Sequence, residues 1–282
     1  MAGRSAGPGK VAFVLGGGGV LGAHEVGMLQ ALAEAGIRPD VIVGTSVGAI
    51  NGVFAAAYPD GIAKLTDLWR SGGGVMSVFD GSLATRVGTF VRSGTHLQSN
   101  HGLRRLLDAL LPVDRIEDLE VPFQCVAASI ERATAHWFTE GPIVPAVLAS
   151  SAVPGLLPPV RVGDEHLFDG GLVHSIPVGR AVALGADTVY VLHVGRIERA
   201  LTVPRRPWQV GVVAFEIARR HRFFEEMASL PDDVAVHVLP AGAAGTGPRG
   251  DFSPLRYRDV SRIDAHIERA YQASRSYLES AA

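Results

Sequence analysis

One cysteine in 282 residues, Cys125, excludes a disulfide framework. It lies in the apolar run VPFQCVAASI, where a lone thiol reads as core packing rather than as a nucleophile. Charge of one sign is lacking as well. With 26 basic against 28 acidic residues, the formal net charge is only -2. No electrostatic field of that size points to a strongly anionic surface, and no nucleic-acid partner is expected. Uninterrupted hydrophobic runs are also missing. The longest apolar stretch, residues 142–160, is broken by Pro145, Pro154, Pro158 and Pro159 and does not read as a membrane span. It reads as a buried helix ending in a proline-rich loop, or as an apolar wall for an acyl chain. The first ten residues, MAGRSAGPGK, lack the apolar stretch of a secretory signal; residues 1–10 read as a flexible lead-in and the expected location is cytoplasmic.

What is present is ample core material, 47% hydrophobic residues, arranged as apolar strand-like runs alternating with helical patterns. That alternation predicts an α/β protein with a mainly parallel sheet covered on both faces. Strands are expected at 11–15, 41–43, 123–128, 135–139, 188–194 and 234–239. A hairpin is expected over 161–168, turning at Gly163-Asp164 and leading into Asp169. Helical spacing follows the first strand in AHEVGMLQALAEAG. A closing helix carries Val260, Ile263, Ile267, Tyr271 and Leu278 as one stripe. Residues 71–94 have no clear period and read as a loop or cap within a 71–100 insertion, and 241–254 read as an exposed connection. There is no internal repeat and no composition break, so residues 11–282 read as a single domain.

The chemistry begins at Gly44-Thr45-Ser46-Val47-Gly48. This G-x-S-x-G follows a strand and opens a helix, the setting of a nucleophile elbow in which Gly44 and Gly48 permit a sharp turn and Ser46 stands at its tip. A helix start capped by Ser46 or Thr45 fits the same residues. The four glycines Gly16–Gly19 follow the preceding strand, so a right-handed βαβ crossover brings them to the same sheet edge as Ser46. Their backbone amides there fit an oxyanion hole. Gly17-x-Gly19-x-x-Gly22 also satisfies the dinucleotide fingerprint, but the acidic residue that should end the second strand is replaced by Gly44-Thr45-Ser46. For a base, Asp169 with His174, His193, His221 or His237 satisfies the chain order of an α/β-hydrolase triad, and none of these histidines has a distinctive setting. Asp169 itself sits in FDGG, either an ordinary Asp-Gly turn or a carboxylate aimed into a sheet-end site.

Three segments, GGGGVLGAHEVGML, GTSVGAING and FDGGLVHSIPV, resemble in order and spacing the motifs of the patatin-like phospholipase family; ASSAVPGLLPPV adds a fourth similarity. The resemblance spans residues 11 to about 195. It implies a three-layer α/β/α fold and a Ser46–Asp169 dyad without histidine. It also implies an oxyanion hole built from Gly17, Gly18 and Gly19 with Val47 N–H in addition, and a motif role for Gly170 and Gly171. The implied reaction is hydrolysis of a lipid or other carboxylic ester without metal or cofactor. Two departures stand out: Leu21 occupies a position where the family commonly carries Arg or Lys, and His174-Ser175 stand where asparagine is frequent. A lipid-binding homologue with weak catalysis and a histidine-dependent esterase are the competing readings. Val75, Met76, Val78 and Phe79 are the expected points of any peripheral membrane contact.

Overall fold

Strand β1 (Val11–Leu15) is buried along almost its whole length. Ala12 and Val14 enter one hydrophobic cluster, Phe13 and Leu15 the other. That split is what a period-two chain does in a sheet covered on both faces. The chain was analysed as a computed structural model, which describes residues 9–71, 95–194, 200–242 and 263–281. Val75, Met76, Val78 and Phe79, most of the expected cap, most of the 241–254 connection and Val260 lie outside the described residues, as do residues 1–8 of the lead-in.

The other strands are β2 (Val41–Gly44), β3 (Phe123–Ser129), β4 (Thr134–Phe138), β5 (Val160–Val162), β6 (Glu165–Asp169), β7 (Thr188–Leu192) and β8 (Ala235–Leu239). Among the described residues they form one sheet in the order β5-β6-β3-β2-β1-β7-β8, with β4 on the free edge of β3. The pairs from β3 across to β8 are parallel, and β4, β5 and β6 run antiparallel. The expected strands and hairpin are therefore present. The last strand-like pair before residue 195 leaves the ladder: the Gly16 N–H takes the Leu192 carbonyl at 3.1 Å, and Val194 packs against the glycine loop instead.

Helices α1 (Ala23–Glu34), α2 (Val47–Ala57), α3 (Gly61–Arg70), α4 (His101–Leu110), α5 (Ile143–Ser150) and α8 (Ile263–Ala281) contribute to the cluster on the Phe13 face. Helices α6 (Val178–Ala183) and α7 (Pro207–Ala228) cover the Ala12 face. The result is the three-layer α/β/α arrangement. Phe13 is fully buried at its centre, and truncating such a side chain to alanine costs about 3–5 kcal/mol. Cys125 lies in the same cluster, where burial pushes its thiol pKa far up, as befits a packing residue. In α8 the fully buried positions are Ile263, Ile267, Ala270 and Ser274, while Tyr271 and Leu278 are half-buried at the rim of the expected stripe.

The register of β3 decides where the chemistry falls. Along one edge, its first half pairs with β2, ending at Gly44 opposite Cys125. Two residues on, the same edge pairs with the antiparallel β6, whose last residue Asp169 faces Ala127. The two strands run toward each other, so the turn after Gly44 and the end of β6 meet.

Candidate active site

Ser46 stands at that meeting point, between β2 and α2, with φ 58° and ψ -124°. A residue with a Cβ is strained there, by about 1–3 kcal/mol, and persists only if its surroundings over-determine it. They do. The Ser46 N–H donates to Ser150 Oγ at 3.0 Å, Ser151 Oγ donates to the Ser46 carbonyl at 3.2 Å, and the same carbonyl takes the Ala49 N–H at 2.9 Å to start α2. Ser150 and Ser151 belong to the ASSAVPGLLPPV segment, and these two bonds give that segment its local role. The flanking glycines make the turn sterically feasible. A Cβ on Gly48 would lie 2.3 Å from the Leu15 carbonyl oxygen, and one on Gly44 would lie 2.5 Å from the Gly48 oxygen. Val47 begins α2, so its N–H has no partner within the helix.

The glycine loop borders the serine: a Cβ built on Gly17 would come within 3.4 Å of the Ser46 Cβ. The Gly17 N–H, expected among the oxyanion donors, is already committed to the Ser175 carbonyl at 2.9 Å. Gly17 is thus an anchor of the loop. The N–H groups of Gly18 and Val47 meet no backbone carbonyl among the described residues, so both stay available to a bound group. After Gly18 the chain makes a 3-10 turn, Gly19–Gly22, into α1. Behind that turn Asn51 Nδ2 donates to the Gly22 carbonyl at 3.0 Å and to Glu25 Oε2 at 2.7 Å, and Trp69 Nε1 donates to Asn51 Oδ1 at 2.9 Å. Burial pushes the Glu25 pKa well above the usual carboxylate range, against the pull of the Asn51 hydrogen bond.

Asp169 is only 2% exposed. Its N–H donates to the Ala152 carbonyl at 2.9 Å and its Oδ1 accepts the Gly171 N–H at 2.7 Å. Burial raises its pKa from 3.8 to about 6, against the opposing pull of the Ser46 hydroxyl, the Gly171 N–H and the Arg219 charge. Among the described residues, Oδ2 is buried and meets no donor in full hydrogen-bond geometry. The serine hydroxyl is therefore close enough to perturb the carboxylate without being tightly bonded to it.

The segment after Asp169 ties the motifs together. The Gly170 carbonyl accepts the His174 N–H at 2.8 Å, Thr45 Oγ1 donates to the His174 carbonyl at 2.8 Å, and the Ser175 carbonyl holds Gly17. The His174 side chain turns elsewhere, with Nδ1 at 2.5 Å from Glu226 Oε1 and its ring 5.3 Å from that of Trp137. His193 stacks on Phe223, His221 pairs with Glu225 at 3.3 Å, and His237 stacks on Tyr190. Among the described residues no three His, Cys, Asp or Glu side chains gather as a metal site requires.

One site residue escaped the sequence reading altogether. Arg219 of α7, 8% exposed, donates from Nη1 to the Gly17 carbonyl at 3.1 Å and to Ser175 Oγ at 3.2 Å. It lies in the cationic run RRHR (219–222), which reads as a solvated helix face. The available signal is its spacing from Phe215, Phe223 and Glu226, which puts it on the inward face of α7.

The arrangement can be set beside known proteins. The family described as patatin-like phospholipase matches residues 13–182. Among curated relatives, lysophospholipase nte1 of Aspergillus terreus is 32% identical over 189 residues, covering 67% of this chain and 12% of the relative. Lysophospholipase nte1 of Emericella nidulans is 31% identical over 188 residues, with the same coverage. The match therefore takes up a small part of these relatives' length. Among solved structures, VipD from Legionella pneumophila is similar with a TM-score of 0.51 at 16% identity, over 98% of this chain and 68% of that one.

Proposed function

The chain belongs to the patatin-like phospholipase family, and from that premise and the setting of Ser46 we propose that it is a serine acyl hydrolase cleaving lipid carboxylic esters through a Ser46–Asp169 dyad. The observation that carries the reading is the pairing of a strained serine with a buried carboxylate whose Oδ2 has no other hydrogen-bond partner among the described residues. A raised pKa supports it: an ordinary carboxylate is a weak base for a hydroxyl, and one near 6 is better matched while still ionised at neutral pH.

In the proposed cycle Ser46 Oγ attacks the ester carbonyl carbon while Asp169 Oδ2 takes its proton. The tetrahedral oxyanion is received by the N–H groups of Gly18, Gly19 and Val47, with the positive end of α2 behind them. Collapse expels the alcohol, which leaves with the proton from Asp169. Water then attacks the acyl-enzyme, giving its proton to Asp169, and collapse expels Ser46 Oγ, which takes that proton back as the carboxylic acid leaves. The name of the nte1 relatives, lysophospholipase, makes a lysophospholipid the first substrate to try. Residues 11–282 are taken as one catalytic domain, a view supported by a sheet drawn from β1 to β8 and by α8 packing in the same core. The test is covalent. A fluorophosphonate should label the protein one-to-one at Ser46, and the wild type but not Ser46→Ala should release fatty acid from lysophosphatidylcholine. Labelling elsewhere, or turnover by Ser46→Ala, would remove the proposal.

A further inference from the structure

Helix α7 lies against the glycine loop and the segment that follows Asp169. Phe215 stands against Gly171, where a Cβ would approach the ring to 3.0 Å. Glu226 holds His174 and takes the Gly179 N–H at 3.3 Å. Between them Arg219 reaches the glycine loop. The loop has no cation of its own, since no Lys or Arg occurs between Gly16 and Gly36, and Leu21 is 38% exposed. The charges facing Arg219 are Glu216, 3.1 Å from Nη2 and shared with Arg220 at 3.3 Å, and Asp169 from the end of β6; His193 packs nearby on Phe223. Among the described residues, Nε of Arg219 is buried without a hydrogen-bond partner. A guanidinium so far out of water is costly to keep, and Glu216 alone does not explain why it points at the loop.

The geometry of the peptide supplies the reason. The Gly17 carbonyl and the Gly18 N–H belong to one planar peptide unit, which is trans, so they point in opposite directions. The other side of Gly17 is fixed too, by its own N–H to the Ser175 carbonyl. Whatever holds the Gly17 carbonyl therefore sets the direction of the Gly18 N–H. A charged donor on that carbonyl also polarises the peptide and makes its N–H a stronger donor.

We infer that Arg219 is a positioning residue for ester hydrolysis: by holding the Gly17 carbonyl it aims the Gly18 N–H at the oxyanion, and it places a fixed positive charge near Asp169. The inference rests on the Ser46–Asp169 reading. Arginine and lysine differ in the required way, because lysine keeps the charge but loses the planar fork that spans the Gly17 carbonyl, Ser175 and Glu216.

The experiment follows p-nitrophenyl butyrate hydrolysis against pH in the full chain for wild type, Arg219→Met, Arg219→Lys and Ser46→Ala, with thermal melts to confirm folding. For Arg219→Met, kcat should fall about 10- to 100-fold with KM changed less than about twofold, bounded by the ~10²–10³-fold cost of losing an oxyanion donor outright. Its acid limb should move to higher pH, because the carboxylate loses a stabilising charge. Arg219→Lys should lose less of kcat and keep the acid limb in place. Wild-type kcat in either variant would overturn the inference. So would a loss in Arg219→Met with an unmoved limb, which marks an arginine that only holds the fold. Should Arg219→Met fail to fold, Arg219→Lys decides alone. Turnover surviving in Ser46→Ala would instead defeat the underlying dyad reading, and this inference with it.

Discussion

Replacing Asp169 by asparagine should make the protein more stable at neutral pH while removing its activity. The carboxylate is raised from 3.8 to about 6, chiefly by burial, so the folded state disfavours its charged form. Below pH 3.8 both folded and unfolded chains keep the proton, and Asp169 costs nothing. As pH rises, the unfolded chain ionises first. The penalty on folding therefore grows until the folded carboxyl also ionises near pH 6, and is constant beyond. A rise of about two pH units, at about 1.4 kcal/mol each, corresponds to roughly 3 kcal/mol at pH 7. Asparagine keeps an oxygen for the Gly171 N–H, has nothing to ionise, and leaves the backbone bond to Ala152 in place. Asp169→Asn should then exceed wild type by about 2–3 kcal/mol at pH 7.5 and by under about 1 kcal/mol at pH 4. Urea unfolding of both proteins at the two pH values reads the difference directly, since other groups cancel. Equal stability at pH 7.5, or an advantage that does not change with pH, would refute the argument that Asp169 is a buried, ionised base.

Two further outcomes follow from the same site. Ser46→Gly suits φ 58° without strain, so it should raise stability by about 1 kcal/mol, the relieved strain less the added chain entropy of glycine, and abolish ester turnover; a melt lower than wild type would contradict the strain. Glu25→Gln should be nearly neutral in stability because burial already disfavours the charged acid and the Asn51 bond survives. Glu25→Ala should cost about 2–4 kcal/mol by leaving a cavity and one N–H of the Asn51 amide without its acceptor, as denaturant titration would show.

Much of this architecture was legible in the sequence because it is written locally. The buried strands appear as short apolar runs, and β1 and β2 hand directly to glycine-flanked turns whose residues admit little else. Ser46 and Asp169 were legible for the same reason, each lying at a strand end marked by small residues. The partners that hold them were not. Nothing in a run of four glycines tells which amide is spent on a distant carbonyl, and Gly17 proves to be the one tied to Ser175. Helix α7 went unread because its apolar residues do not form one buried stripe: Val210, Ile217 and Phe224 are exposed, while Phe223 and the charged Arg219 face inward. Leu21 brings no cation to the loop, and the guanidinium that reaches it belongs to Arg219, a contact that only the packing of α7 reveals.

The central claim, a serine activated by an aspartate without histidine, is tested most directly by comparing p-nitrophenyl butyrate turnover in Asp169→Asn with that in His174→Gln, His193→Gln, His221→Gln and His237→Gln. The account predicts a loss of at least about 10³-fold for Asp169→Asn and near-wild-type turnover for each histidine variant that folds. Near-normal turnover by Asp169→Asn, or collapse on changing one of the histidines in a folded protein, would contradict it.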